Sequence, residues 1–189
     1  MKKKHIYELD WDDSEPLATD VAFLLFHSVA PNYAFVDDLN KLYGLALRRT
    51  DDIALGERSW PLFIYHDPLL HLDYHLIERP PLSGSTAPMW TEGHKLLIVK
   101  GERAVTTVAT IHDEFCTATP SADPSDLLAI QHTDLLESLR SSFTTTTLID
   151  PSATLPASTS KKTQRDYTSL CNLLEEILDC LDMENICSN

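Results

Sequence analysis

Residues 66–76 read His-Asp-Pro-Leu-Leu-His-Leu-Asp-Tyr-His-Leu, three histidines and two aspartates in eleven positions. Imidazole nitrogens and carboxylate oxygens are donors of zinc and iron sites, provided they converge within a few ångströms. If Trp60–His66 pairs with His71–Ile77 across a four-residue loop, His66 lies opposite His71, and His71, Asp73 and His75 share one face. Leu72, Tyr74 and Leu76 then point to the other face. His66, His71 and His75 are therefore the candidate metal ligands. The same alternation also describes an ordinary sheet, wet above and apolar beneath, and no second motif supplies a fourth ligand. The expectation is a solvated face and no cofactor, with a metal-binding protein or metal-dependent hydrolase as the alternative.

Other reactive side chains point to chemistry less clearly. Cys116 lies close to His112 and Asp113, which suggests a thiol nucleophile, but no oxyanion hole accompanies it. Asp51-Asp52 suits an N-cap or turn better than acid–base work. The carboxylates Glu8, Asp10, Asp12, Asp13 and Glu15 could bind a cation, but read better as a charged edge that discourages strand addition. There is no Gly-x-Ser-x-Gly elbow, and five glycines in the whole chain leave no phosphate-cradling loop. No catalytic residue is expected.

These residues must be positioned by a set of short strands. Lys4–Trp11 alternates polar and apolar, as a half-buried strand does. Val21–Val29 is a continuous apolar run whose length and Phe and Val content favour a buried strand. Phe35, Leu39 and Leu42 recur at helical spacing over Ala34–Tyr43, and Gly44 supplies the stop. Leu45–Leu55, Trp60–His66, Leu70–Ile77 and Lys95–Lys100 read as further extended segments, the middle two joined at Asp67-Pro68. Thr117–Pro124 is loop-like. Asp123-Pro124-Ser125-Asp126 then opens a helix reaching about Phe143, with Leu128, Leu135, Leu139 and Phe143 on one side. Thr144–Ile149 is β-branched and reads as a strand. Residues 150–165 form a linker rich in Ser, Thr and Pro, and 166–183 an amphipathic helix carrying Leu170, Leu174, Ile177 and Leu181 on one side. A short tail, 184–189, closes the chain.

Short links favour antiparallel neighbours, so the fold expected for residues 1–149 is α+β: a mainly antiparallel sheet with helices packed on one face, a two-layer sandwich, plus the C-terminal amphipathic helix. The chain has 189 residues and a formal charge of −14. That field repels phosphate backbones, and the basic clusters Lys2-Lys3-Lys4, Arg48-Arg49 and Lys161-Lys162 are short, so nucleic acid is disfavoured. The N-terminal stretch carries charges where a signal peptide has its apolar core, and Val21–Phe26 is too short to span a bilayer. Four cysteines follow neither a zinc-ribbon nor a disulfide spacing. A cytoplasmic protein with no membrane contact is expected.

Tyr33, Leu39-Asn40-Lys41-Leu42-Tyr43-Gly44-Leu45, Arg49-Thr50-Asp51-Asp52-Ile53, Trp60-Pro61-Leu62-Phe63-Ile64-Tyr65 and Leu96-Leu97-Ile98-Val99-Lys100-Gly101 resemble stretches of the IPExxxVDY family of small bacterial proteins. Leu148-Ile149-Asp150-Pro151 fits as well. The signature that names the family falls on Ala87–Lys95, where Pro88 alone matches it. The resemblance implies a fold and no activity, because the members have none assigned. The function expected is a non-enzymatic protein-interaction or regulatory module. Two places are open to the apolar stripe Leu170, Leu174, Ile177 and Leu181: packed back on the chain's own sheet, the reading the sequence favours, or docked on another protein or a second copy of the chain.

Overall fold

The computed structural model describes residues 21–28, 30–55, 58–78, 94–116, 127–141, 143–149 and 159–187. The chain forms β1 (Val21–Ser28), α1 (Asn32–Tyr43), β2 (Arg48–Arg49), β3 (Ile53–Leu55), β4 (Arg58–Trp60), β5 (Leu62–Asp67) and β6 (Leu72–Glu78). It continues with β7 (His94–Lys100), α2 (Ala104–Cys116), α3 (Leu127–Ser141), β8 (Phe143–Ile149) and α4 (Lys161–Cys187). Six strands form one sheet in the order β2-β5-β6-β7-β1-β8, every neighbour antiparallel, and β3 pairs with β4 as a separate ribbon. This is the α+β architecture anticipated from the short links. The alternating stretch expected over Lys4–Trp11, the helix start at Asp123–Asp126 and residues 150–158 of the linker lie outside the described residues, while 161–165, expected in the linker, already belong to α4, which also runs past the expected end at 183.

β1 and β7 are the most apolar strands because they sit centrally and are covered on both faces. Leu24, Phe26, Leu97 and Val99 face a core shared with α1, α2 and α3. Phe23, Leu25, Leu96 and Ile98 face a second core shared with α4 and the β3–β4 ribbon. Three helices thus cover one face, as the two-layer expectation has it, and the C-terminal helix adds a layer on the other.

Helix α1 ends as its sequence dictates. Gly44 adopts the left-handed region at φ 64° and its N–H donates to the Asn40 carbonyl. Asn40 then clamps the departing chain with two bonds: its Nδ2 donates to Leu47 O (3.1 Å) and its Oδ1 accepts from Leu47 N (2.9 Å). Between Gly101 and Thr117, where no element is expected from the sequence, the chain forms α2. Ala104, Val108, Ile111 and Phe115 are buried at steps of four, three and four, a helical stripe on the core. Helix α3 stops at Ser141, and Phe143 opens the following strand instead of closing the helix. The expected strand at Leu45–Leu55 is split between the main sheet and the ribbon, with Asp52 bracing the corner by pairing with Arg49 and accepting from Ser59 Oγ at 2.8 Å. Those two partners hold its carboxyl below the usual carboxylate range, Ser59 contributing most.

Candidate functional site

The β5–β6 hairpin sets the positions of the three histidines. Its register runs from Leu62 opposite Ile77 to Asp67 opposite Leu72, so His66 faces Asp73. The expected pairing with His71 is two residues out. His71 belongs to the turn, at φ 52°, a region that costs a non-glycine residue roughly 1–2 kcal/mol. Nothing in the local sequence advertises that conformation. His66 Nδ1 lies 2.7 Å from Asp73 Oδ1, with both side chains exposed.

His75 corrects the expectation of a wet face. It is 7% exposed and lies between Ile64 of β5 and Ile98 of β7, on the side covered by α4. Burial, with help from the nearby Lys100 charge, holds its pKa down to about 4 against the opposing influence of Asp73 and Asp182. The ring is therefore neutral at pH 7. Its Nδ1 is buried with no hydrogen-bond partner among the described residues. One histidine is thus in the core, one in the turn and one on the rim. Among the described residues no three His, Cys, Asp or Glu side chains are arranged to hold a metal ion.

Above His75 the rim is closed by charges from three elements. Lys100 Nζ donates to Asp182 of α4, and Asp73 is the cross-strand partner of Lys100. Together with His66–Asp73 this pair ties the hairpin, β7 and the end of α4 at one corner. The arrangement fastens elements and leaves no group poised over a cleft. Lys100 and Asp182 were not singled out from sequence, because the helix that brings Asp182 to the sheet is remote in the chain.

Of the two places open to the apolar stripe of α4, the structure shows the intramolecular one and not the docking one. Leu170, Leu174, Ile177 and Leu181 are all buried against the protein's own sheet and ribbon. In this fold they present no surface to another molecule.

A second buried basic group lies on the opposite face. Lys95 is 1% exposed. Its Nζ donates to Ala30 O (3.0 Å) and Ser28 O (3.4 Å), sits 3.6 Å from Glu78 Oε1 and stands 5.3 Å from the Phe35 ring centre. Burial pushes the Lys95 pKa down and the Glu78 pKa up, while their mutual attraction restores part of each. Three acceptors for three ammonium protons describe a structural cation rather than an amine nucleophile. The strand alternation carried this signal, since Lys95 shares its face with Leu97 and Val99.

On α2, Cys116 Sγ lies 3.4 Å from His112 Nε2, and His112 Nδ1 lies 3.2 Å from Asp113 Oδ1. The structure therefore assembles the three residues that proximity in sequence suggested. On the buried side of the same helix, Glu114 Oε2 accepts from Tyr43 Oη at 3.0 Å, and burial pushes the Tyr43 hydroxyl well above its usual range. A surface hollow of about 580 Å³ flanks the first turns of α4, lined by Lys161, Gln164, Arg165, Thr168 and Ser169, and holds no acid–base pair.

No family model, curated protein or solved structure matches this chain. No helix among the described residues is long and apolar enough to cross a membrane.

Proposed function

We propose that this protein is a cytoplasmic, non-enzymatic interaction module whose contact point is the tip of the β5–β6 hairpin. The observation that carries this reading is Leu69, 88% exposed, beside Leu70 at 43%. Both belong to a turn that is held stiffly. Asp67 Oδ1 accepts from the N–H groups of Leu69 (2.8 Å) and Leu70 (3.0 Å). Gly101 packs so closely beneath the turn that a Cβ there would lie 2.5 Å from His71 O. Exposed leucines on a rigid frame lose little entropy when a partner covers them, so more of the burial energy is left for binding. The charges on the structure's rim support the same reading, because they fasten elements together instead of meeting at a cleft.

Membership of the IPExxxVDY family is part of this proposal, supported by the sequences around Leu39–Leu45 and Leu96–Gly101, and it brings no activity with it. A photo-crosslinking amino acid at position 69 of the full chain, expressed in living cells, tests the interaction. The expected result is one discrete adduct, its mass distinguishing another protein from a second copy, and its loss in Leu70→Asp. Equal, diffuse labelling from position 69 and from the exposed Arg103 sinks the proposal.

A further inference from the structure

We infer that the last turn of α2 is a chelating site for a soft divalent transition metal of the zinc class, held by Cys116 Sγ and His112 Nε2, with Asp113 orienting the imidazole. Residues four apart on a helix present their side chains to the same patch of surface. In a tetrahedral zinc site, bonds of about 2.3 Å to sulfur and about 2.05 Å to nitrogen place the two donor atoms roughly 3.6 Å apart. Sγ and Nε2 stand 3.4 Å apart, so an ion enters with a shift of a few tenths of an ångström.

The third residue completes the logic. With Asp113 Oδ1 3.2 Å from His112 Nδ1, the carboxylate accepts that N–H, and the ring lone pair is left on Nε2, the nitrogen that faces the sulfur. A carboxylate behind a histidine is the usual support of a ligating imidazole, fixing its tautomer and direction. Cys116 is exposed and the His112 side chain is 26% exposed, so water can fill the remaining coordination positions. As the metal–sulfur bond forms, the thiol proton leaves to solvent, His112 contributes its lone pair, and no oxidation state changes.

The electrostatic setting selects a cation over the competing thiol chemistry. Cys116 is the last residue of α2, where the helix dipole is negative, and the chain carries a formal charge of −14. That field attracts a dication and repels anionic electrophiles such as glutathione disulfide. The other described thiols are placed differently. Burial pushes the Cys171 thiol up, and Cys180 Sγ points at the Ala54 carbonyl, 3.8 Å away.

Titration of the full chain with cadmium, read by the thiolate-to-metal charge-transfer band in the ultraviolet, tests the site. The expected result is saturation at one equivalent, displaced by zinc, with the band lost in Cys116→Ser. Affinity falls about tenfold or more in His112→Gln and about tenfold in Asp113→Asn. Ring nitrogen resonances of His112 in the unsubstituted protein shift at saturating zinc, a readout that needs no variant to fold. A band unchanged in Cys116→Ser, an affinity unchanged in a folded His112→Gln, or unmoved His112 resonances overturns the site. An unchanged affinity in Asp113→Asn overturns the part given to the carboxylate.

Discussion

The two faces of the central sheet are closed by different means. One is covered by α1, α2 and α3 together, while the other depends largely on α4 and the small β3–β4 ribbon. Among the described residues each face also buries one basic side chain, and the two are handled in opposite ways. Lys95 is given partners, two carbonyls and a carboxylate. His75, whose Nδ1 has no partner among the described residues, gives up its charge. A buried ionisable group must be paired or neutral, and these two residues show one solution each.

The largest effect expected from this contrast follows removal of α4. Four buried leucine and isoleucine side chains, at about 2 kcal/mol each, rival the whole stability of an ordinary domain. A chain ending at residue 160 is expected to lose cooperative urea unfolding, whereas full-length protein keeps it; equal midpoints for the two would mean the second core is dispensable. Next in size is Gly101→Ala. Gly101 sits at φ 124°, and a Cβ would meet His71 O at 2.5 Å and Leu72 Cδ2 at 2.9 Å, so a loss of about 3 kcal/mol is expected in chemical denaturation.

The third effect is one of pH and belongs to the α4 face. His75 titrates near 4 when folded against 6.5 when unfolded, so the unfolded chain takes up the proton first. The resulting stability is complete above 6.5 and is lost as pH falls toward 4. Between pH 7 and pH 5 the natural protein should lose about 2 kcal/mol more than His75→Leu. Parallel pH profiles for the two would show that His75 is not the acid-sensitive group. The smallest effect concerns His71, where glycine relieves the left-handed strain: His71→Gly should raise stability by about 0.5–1 kcal/mol, and a lowered thermal midpoint would contradict the turn role given to this residue.

Much of the frame was legible in the chain itself. The apolar runs of β1 and β7, the 4-3 stripe and glycine stop of α1, and the amphipathic face of α4 are local patterns that report which residues share a side. Helix α2 was equally legible in Ala104, Val108, Ile111 and Phe115, although Thr106, Thr107 and Thr110 are poor helix formers. The candidate site was read less well. His66 and His75 do share a face, but the register depended on a left-handed histidine that no neighbouring glycine signalled.

By itself, then, the sequence determined the elements and the sidedness of each, because periodicity is a property of neighbours along the chain. Only the tertiary structure decided what covers each side. A polar position alternating with leucines is wet when nothing packs on it and dry when a helix from the far end of the chain folds back, and His75 lies beneath such a helix. The same long-range closure brought Asp182 to Lys100 and turned the leucines of α4 inward, since burying apolar surface against the nearest uncovered sheet face is strongly favourable and is set by distances in space, not along the chain.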